Sequence, residues 1–99
     1  MGDGVLNENE TSIKIQKPRK FKVILLNDNY TTMDFVIEVI MDVFGKSFEE
    51  ASKIMIEVHK KGRGIVGTYT YDIATTKVRD VENLARKNNF PLKAVIEEE

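Results

Sequence analysis

Apolar residues gather in separate stretches along the chain, and their spacing changes from one stretch to the next. Phe21-Lys22-Val23-Ile24-Leu25-Leu26 is almost continuously apolar and rich in β-formers. That pattern predicts a strand covered over much of both faces. The polar cluster Asn27-Asp28-Asn29-Tyr30 predicts a turn after it. A helix is expected next, opening at Thr31, with Thr31 and Asp34 spaced as a capping box. Val36, Val39, Ile40 and Val43 recur at helical spacing, flanked by Met33, Phe35 and Phe44, and Gly45 supplies a stop. Ser47 and Glu50 form a second capping box. Phe48, Ala51, Ile54, Met55 and Val58 follow as a new apolar stripe, which Lys60-Lys61 and Gly62 close. Residues 64–73, with Ile65, Val66, Tyr69 and Tyr71, read as a strand. Residues 75–88, with Val78, Val81, Leu84 and Ala85, read as a third helix that Pro91 prevents from continuing. Residues 92–96 read as a short last strand. The order is β-α-α-β-α-β. It predicts an α+β domain with a three-stranded, mostly antiparallel sheet and helices on one face.

Residues 1–18 hold few large apolar groups and no aromatic, too little to offset the entropy of ordering them. A flexible tail is expected there, and one folded domain over residues 19–99. A chain of 99 residues suits a single domain. The 15 basic and 16 acidic residues leave a net charge of −1. Nucleic-acid modules carry a basic excess, so that class is demoted and no nucleic-acid partner is expected. Cysteine is absent, which removes disulfide, zinc-finger, thiolate and iron–sulfur chemistry. With His59 the only histidine, no metal site and no cofactor is expected. No apolar run approaches the roughly 18–20 residues that span a bilayer, so no membrane association is expected. Residues 1–4 show no signal peptide, and Leu6 stands where a myristoylation motif needs Ser or Thr. A monomer in the cytoplasm is the expectation.

Catalysis finds little support. Gly62-Arg63-Gly64-Ile65-Val66-Gly67 has the spacing of a dinucleotide motif but follows a helix and opens a strand, the reverse of the required context. It reads as a helix stop and a tight turn. The basic runs Lys17, Arg19, Lys20, Lys22 and Lys60, Lys61, Arg63 read as solvated surface. Ser12 lies in the tail and Ser47 is committed to a cap. Ser52 and His59 are about two helical turns apart, roughly 10 Å, too far for a hydrogen bond. Glu49 and Glu50 sit on an exposed helix start.

Asn27, Asp28, Asn29 and His59 form the remaining set. Spacing alone reads them as a turn of local hydrogen bonds and a partly buried histidine. They also suit a small polar mouth. Asn offers a carbonyl oxygen, neutral His a lone pair and Asp a negative charge, together fit for an ammonium with three donors. Met33, Val36, Met55 and Val58 could line a hole beside that mouth or simply pack in the core.

At these residues the sequence resembles ClpS, the adaptor family of the Clp protease system. The resemblance covers residues 19–96. It is carried by the run from Lys22 through Asn27-Asp28-Asn29-Tyr30-Thr31-Thr32-Met33 to Val36, by Val58-His59 with Gly62, by Thr76-Lys77-Val78 and by Pro91-Leu92. It implies a non-enzymatic N-degron reader. Such a reader captures proteins that begin with Leu, Phe, Tyr or Trp and delivers them to a ClpA- or ClpC-type unfoldase. By resemblance, Asn27 and His59 bind the α-ammonium with help from the turn residues Asp28 and Asn29. Met33, Val36, Met55, Val58 and Leu92 form the side-chain pocket, with Met33 as a gate against β-branched residues. Asp72 and Lys77 fall where the family meets the unfoldase N-domain, and the tail matches the segment engaged during delivery.

Three positions depart from the family pattern. Asn29 replaces a common third-position acid, Thr32 replaces Pro, and Asp72 replaces Glu. Two alternatives stand beside this reading. One is a modulator of the unfoldase that reads no substrate. The other is an assembly domain like that of the ribosomal stalk, although residues 1–18 show neither its helical segment nor its Ala-rich hinge.

Overall fold

The computed structural model describes residues 17–99. The tail expected over 1–18, and Ser12 with it, therefore falls outside the described residues save for Lys17 and Pro18. Strand β1 spans Phe21–Leu26, helix α1 Met33–Phe44 and helix α2 Phe48–Lys61. Strand β2 spans Arg63–Tyr69, helix α3 Tyr71–Lys87 and strand β3 Lys93–Glu98. The sheet has three strands in the order β2-β1-β3, with β1 antiparallel to both neighbours. The α+β class and the β-α-α-β-α-β order agree with the sequence pattern.

β1 is apolar but for Lys22, as suits the central strand. Val23 and Leu25 point into the core with the buried residues of the three helices. Ile24 is fully buried on the opposite face, between Ile65 and Val95. The Arg63–Glu97 ion pair, 2.8 Å, joins β2 to β3 across β1 and passes over Ile24. β2 absorbs one extra residue, Val66, where its register with β1 shifts between Val23 and Ile24.

The helices begin where short polar side chains can satisfy free N–H groups. Ser47 caps α2 in a full capping box with Glu50. α1 is capped one residue later than the sequence suggests. Thr32, not Thr31, accepts the Phe35 N–H, because the Thr31 hydroxyl is already bound to Asp28. Gly45 and Gly62 end α1 and α2 in the left-handed conformation, φ 68° and 87°, which glycine adopts at no steric cost.

Residues 64–73 are not one strand. β2 stops at Tyr69 and α3 begins at Tyr71, four residues before the expected start. The alternation Tyr69, Tyr71, Ile73 imitates a β period. Tyr71 and Ile73 are instead exposed on the first turn of α3, whose buried stripe is Ala74, Val81 and Ala85. After α3 the chain reverses through Asn89, φ 64°, and Phe90 packs on Phe35 with ring centroids 4.6 Å apart.

Candidate functional site

The site forms where β1 runs out between α1 and α2. The Asn27 N–H donates to the Gly62 carbonyl, 2.9 Å, and so ties the end of β1 to the end of α2. That bond sets the polar turn beside His59, which lies on the last turn of α2. Gly64 lets β2 pass close to α2. A methyl group there would meet Val58 Cγ2 at 2.7 Å.

Asp28 builds the turn. Its Oδ1 accepts the Tyr30 N–H at 2.8 Å and the Thr31 N–H at 2.7 Å, and its Oδ2 accepts the Thr31 hydroxyl at 2.7 Å. Burial alone would raise the Asp28 carboxyl. The bonds from Thr31 and Tyr30 outweigh it and hold the group below its ordinary value of 3.8, so the turn carries a negative charge at neutral pH.

Asn27, Asp28, Asn29, Thr31, Met33, Val36, Met55, Val58 and His59 line one cavity of about 230 Å³. Val36 and Val58 are its buried floor, 6% and 2% exposed, and Met33 is half-exposed at its rim. His59 is exposed, not the partly buried histidine that spacing alone suggests. The cavity is smaller than the roughly 300–1,000 Å³ of a typical cofactor or drug site. It exceeds the roughly 150 Å³ in which a cavity has taken up benzene. It can take one side chain the size of a ring, with polar acceptors gathered at one end. No group of three or more metal-ligating side chains occurs among the described residues.

The cavity brings together eight of the side chains singled out in the sequence: Asn27, Asp28, Asn29, Met33, Val36, Met55, Val58 and His59. Leu92 is not among its lining residues. It is 3% exposed in the core, and its exposed edge borders a separate groove with Phe90 and Pro91. It packs in the same core cluster as Val36 and Val58. Thr31, which the sequence pattern suggests as a helix cap, also lines the cavity, and its three-residue spacing from Asp28 is the signal for that.

Asp72 is exposed on the first turn of α3. Lys77 lies farther along α3 and is partly buried. Its Nζ donates to the Val43 carbonyl at 2.7 Å and stands 5.9 Å from the ring centroids of Phe44 and Tyr69. Lys77 thus caps the C-terminal end of α1. The basic runs pair in part with acids, Arg19 with Glu98, Lys61 with Glu57 and Arg63 with Glu97. Gly62 and Gly64 serve a helix stop and a close strand–helix approach, as their context implies.

Comparison with known proteins bears on this geometry. The family model for the ATP-dependent Clp protease adaptor protein ClpS matches residues 16–95. The ClpS of Acetivibrio thermocellus is 50% identical over 99 residues, all of both chains. That of Wolinella succinogenes is 54% identical over 93 residues, 90% of this chain and 91% of its own. The solved structure of Agrobacterium tumefaciens ClpS2 bound to L-phenylalaninamide superposes with a TM-score of 0.81. It is 36% identical and is matched over 84% of this chain and 100% of that one. These matches set aside the ribosomal-stalk alternative, and the chain belongs to the ClpS family of Clp protease adaptors.

Proposed function

We propose that this chain reads the first residue of its client proteins and hands those clients to a ClpA- or ClpC-type unfoldase. The α-ammonium of the client sits at Asn27, Asp28, Asn29 and His59. The first side chain, Leu, Phe, Tyr or Trp, enters between Met33, Val36, Met55 and Val58. One observation carries the reading: a single cavity has a polar, negatively charged mouth and an apolar floor wide enough for a ring. L-phenylalaninamide, on the 36% identical relative, has that same pairing of free amine and ring.

The chemistry selects chain starts. An α-amino group has an ordinary pKa of about 7.7–8.0 and is mostly cationic at neutral pH, whereas an internal residue has no such charge. Full burial of a Leu or aromatic side chain contributes about 1.5–3 kcal/mol. Val and Ile branch at Cβ, close to the backbone, where Met33 stands at the rim. Asp72, exposed at the start of α3, is the stronger candidate for the unfoldase contact. Lys77 offers only what its bond to Val43 leaves free.

Fluorescence anisotropy with peptides beginning Leu, Phe, Tyr, Trp, Ile, Val or Ala tests the first step. The first four should bind. The others, and an N-acetyl-Phe control that lacks the charge, should not. Silence from all of them, with unfoldase binding intact, would favour the modulator that reads no substrate. Degradation of a Phe-initiated reporter by the unfoldase and protease, with and without this chain, tests delivery.

A further inference from the structure

Burial sorts the lining of the cavity by polarity. Of its polar side chains, Asn27, Asn29 and His59 are exposed, and Asp28 and Thr31 are only partly covered. The two lining residues that are buried, Val36 and Val58, are both apolar. The partly covered pair is already engaged. The Thr31 hydroxyl donates to Asp28 Oδ2, and Asp28 Oδ1 accepts two N–H groups of the turn. The backbone under the valines is engaged as well. The Val36 N–H donates to the Thr32 carbonyl at 3.1 Å, and the Val58 carbonyl accepts the Gly62 N–H at 2.9 Å. Their other backbone groups lie inside α1 and α2, where the helical ladder uses them. Met33 and Met55 add thioether sulfurs, which are weak acceptors. Among the described residues, then, the mouth holds several polar side chains and the floor holds none.

Resting on the reading above, we infer that the cavity ranks its clients by the polarity of the far end of the first side chain, so that Phe and Leu are preferred and Tyr is disfavoured. With the ammonium held at the polar mouth, the para position of a ring is the part of the side chain farthest from the amine, and it meets the floor. Phe and Leu bring only carbon there. Tyr brings a hydroxyl that gives up its water and finds no strong partner among Val36, Val58, Met33 and Met55. An unpaired buried hydroxyl offsets much of what burying the ring contributes. An apolar pocket rejects an added hydroxyl by about a hundredfold at most. Here the two methionines are flexible and polarizable and soften that limit, so the expected gap between Phe and Tyr is about tenfold.

The test uses the full chain and peptides that differ only in a first residue of Phe, Leu, Tyr or para-methylphenylalanine, titrated by fluorescence anisotropy. The Phe and Leu peptides should bind about tenfold more tightly than the Tyr peptide. The para-methylphenylalanine peptide puts an apolar group where Tyr has its hydroxyl, and it should bind closer to Phe than to Tyr. Val36→Thr and Val58→Thr each place a hydroxyl on the floor. At least one of them should narrow the gap between Phe and Tyr, with circular dichroism showing that the fold is kept. A Tyr peptide that binds wild-type protein within about twofold of Phe overturns this inference alone. A para-methylphenylalanine peptide as weak as Tyr also overturns it, because size would then set the gap. So does a gap that neither folded valine variant changes. Failure of all four peptides to bind wild-type protein overturns the client-reading function and this inference with it.

Discussion

The Asp28 carboxylate accepts three hydrogen bonds from within its own turn, two on Oδ1 and one on Oδ2. Its charge and its shape-setting role therefore have to be separated by substitution. Asp28→Ala removes both and should weaken peptide binding by about 1–3 kcal/mol in an anisotropy titration. Thr31→Val keeps the charge and deletes one donor. It should cost less, and unchanged affinity would show that the Thr31 hydroxyl does not position the turn. The lowered carboxyl also fixes a pH dependence. Its folded value lies below the unfolded 3.8. Its contribution is thus fully present above about pH 4 and is lost as pH falls through the depressed value. Acid unfolding followed by circular dichroism should show a smaller loss of stability below about pH 4 in Asp28→Asn than in the wild type. Binding has its own limb at the other end. It should weaken as pH rises past about 8, because the peptide amine loses its proton.

Helix α2 and strand β2 meet at Gly64, and the cavity floor depends on how closely they meet. A Cβ on residue 64 would stand 2.7 Å from Val58 Cγ2, so Val58 would have to move. Gly64→Ala should lower stability by about 1–3 kcal/mol, the cost of overpacking. It should also weaken Phe-peptide binding more than Leu-peptide binding, because the wider ring needs the floor most. Equal loss for both peptides would mean that the strain stays away from the cavity. Periodicity made α1, α2 and β1 legible because each has its own apolar period and a stop residue. It failed at residues 70–75, where Tyr71 and Ile73 continue the alternation of β2 while lying exposed on the first turn of α3. It placed the α1 cap one residue early because Thr31 and Thr32 are equal cappers until Asp28 claims the first. The nearness of His59 to the turn could not be read from spacing, since it depends on the Asn27–Gly62 bond between distant segments. Leu92 is named only through the family resemblance; it is buried in one core with Val36 and Val58, the cavity floor, which spacing could not show.

At the scale of the whole molecule, the proposed reading and the proposed delivery of a client draw on different parts of the chain. The described domain completes its sheet, core and cavity with residues 17–99. The cavity's lining begins at Asn27, and the family model begins to match at residue 16. Every group that we assign to the client's first residue therefore lies beyond the amino-terminal segment. Deleting residues 1–16 should leave the affinity for a Phe-initiated peptide unchanged and the thermal midpoint within a few degrees of the full chain. Delivery is different, because the family resemblance gives that segment to the unfoldase. The same deletion should abolish the stimulated degradation of a Phe-initiated reporter while the truncated protein still competes with the full chain for peptide. Met33→Ala is the complementary variant: it opens the rim, so Val and Ile peptides should gain affinity while the unfoldase still accepts the adaptor. A deletion that lost peptide binding in proportion to delivery would put residues 1–16 in the reading step. One that kept both would move the delivery signal onto the folded domain, where exposed Asp72 is the first residue to test.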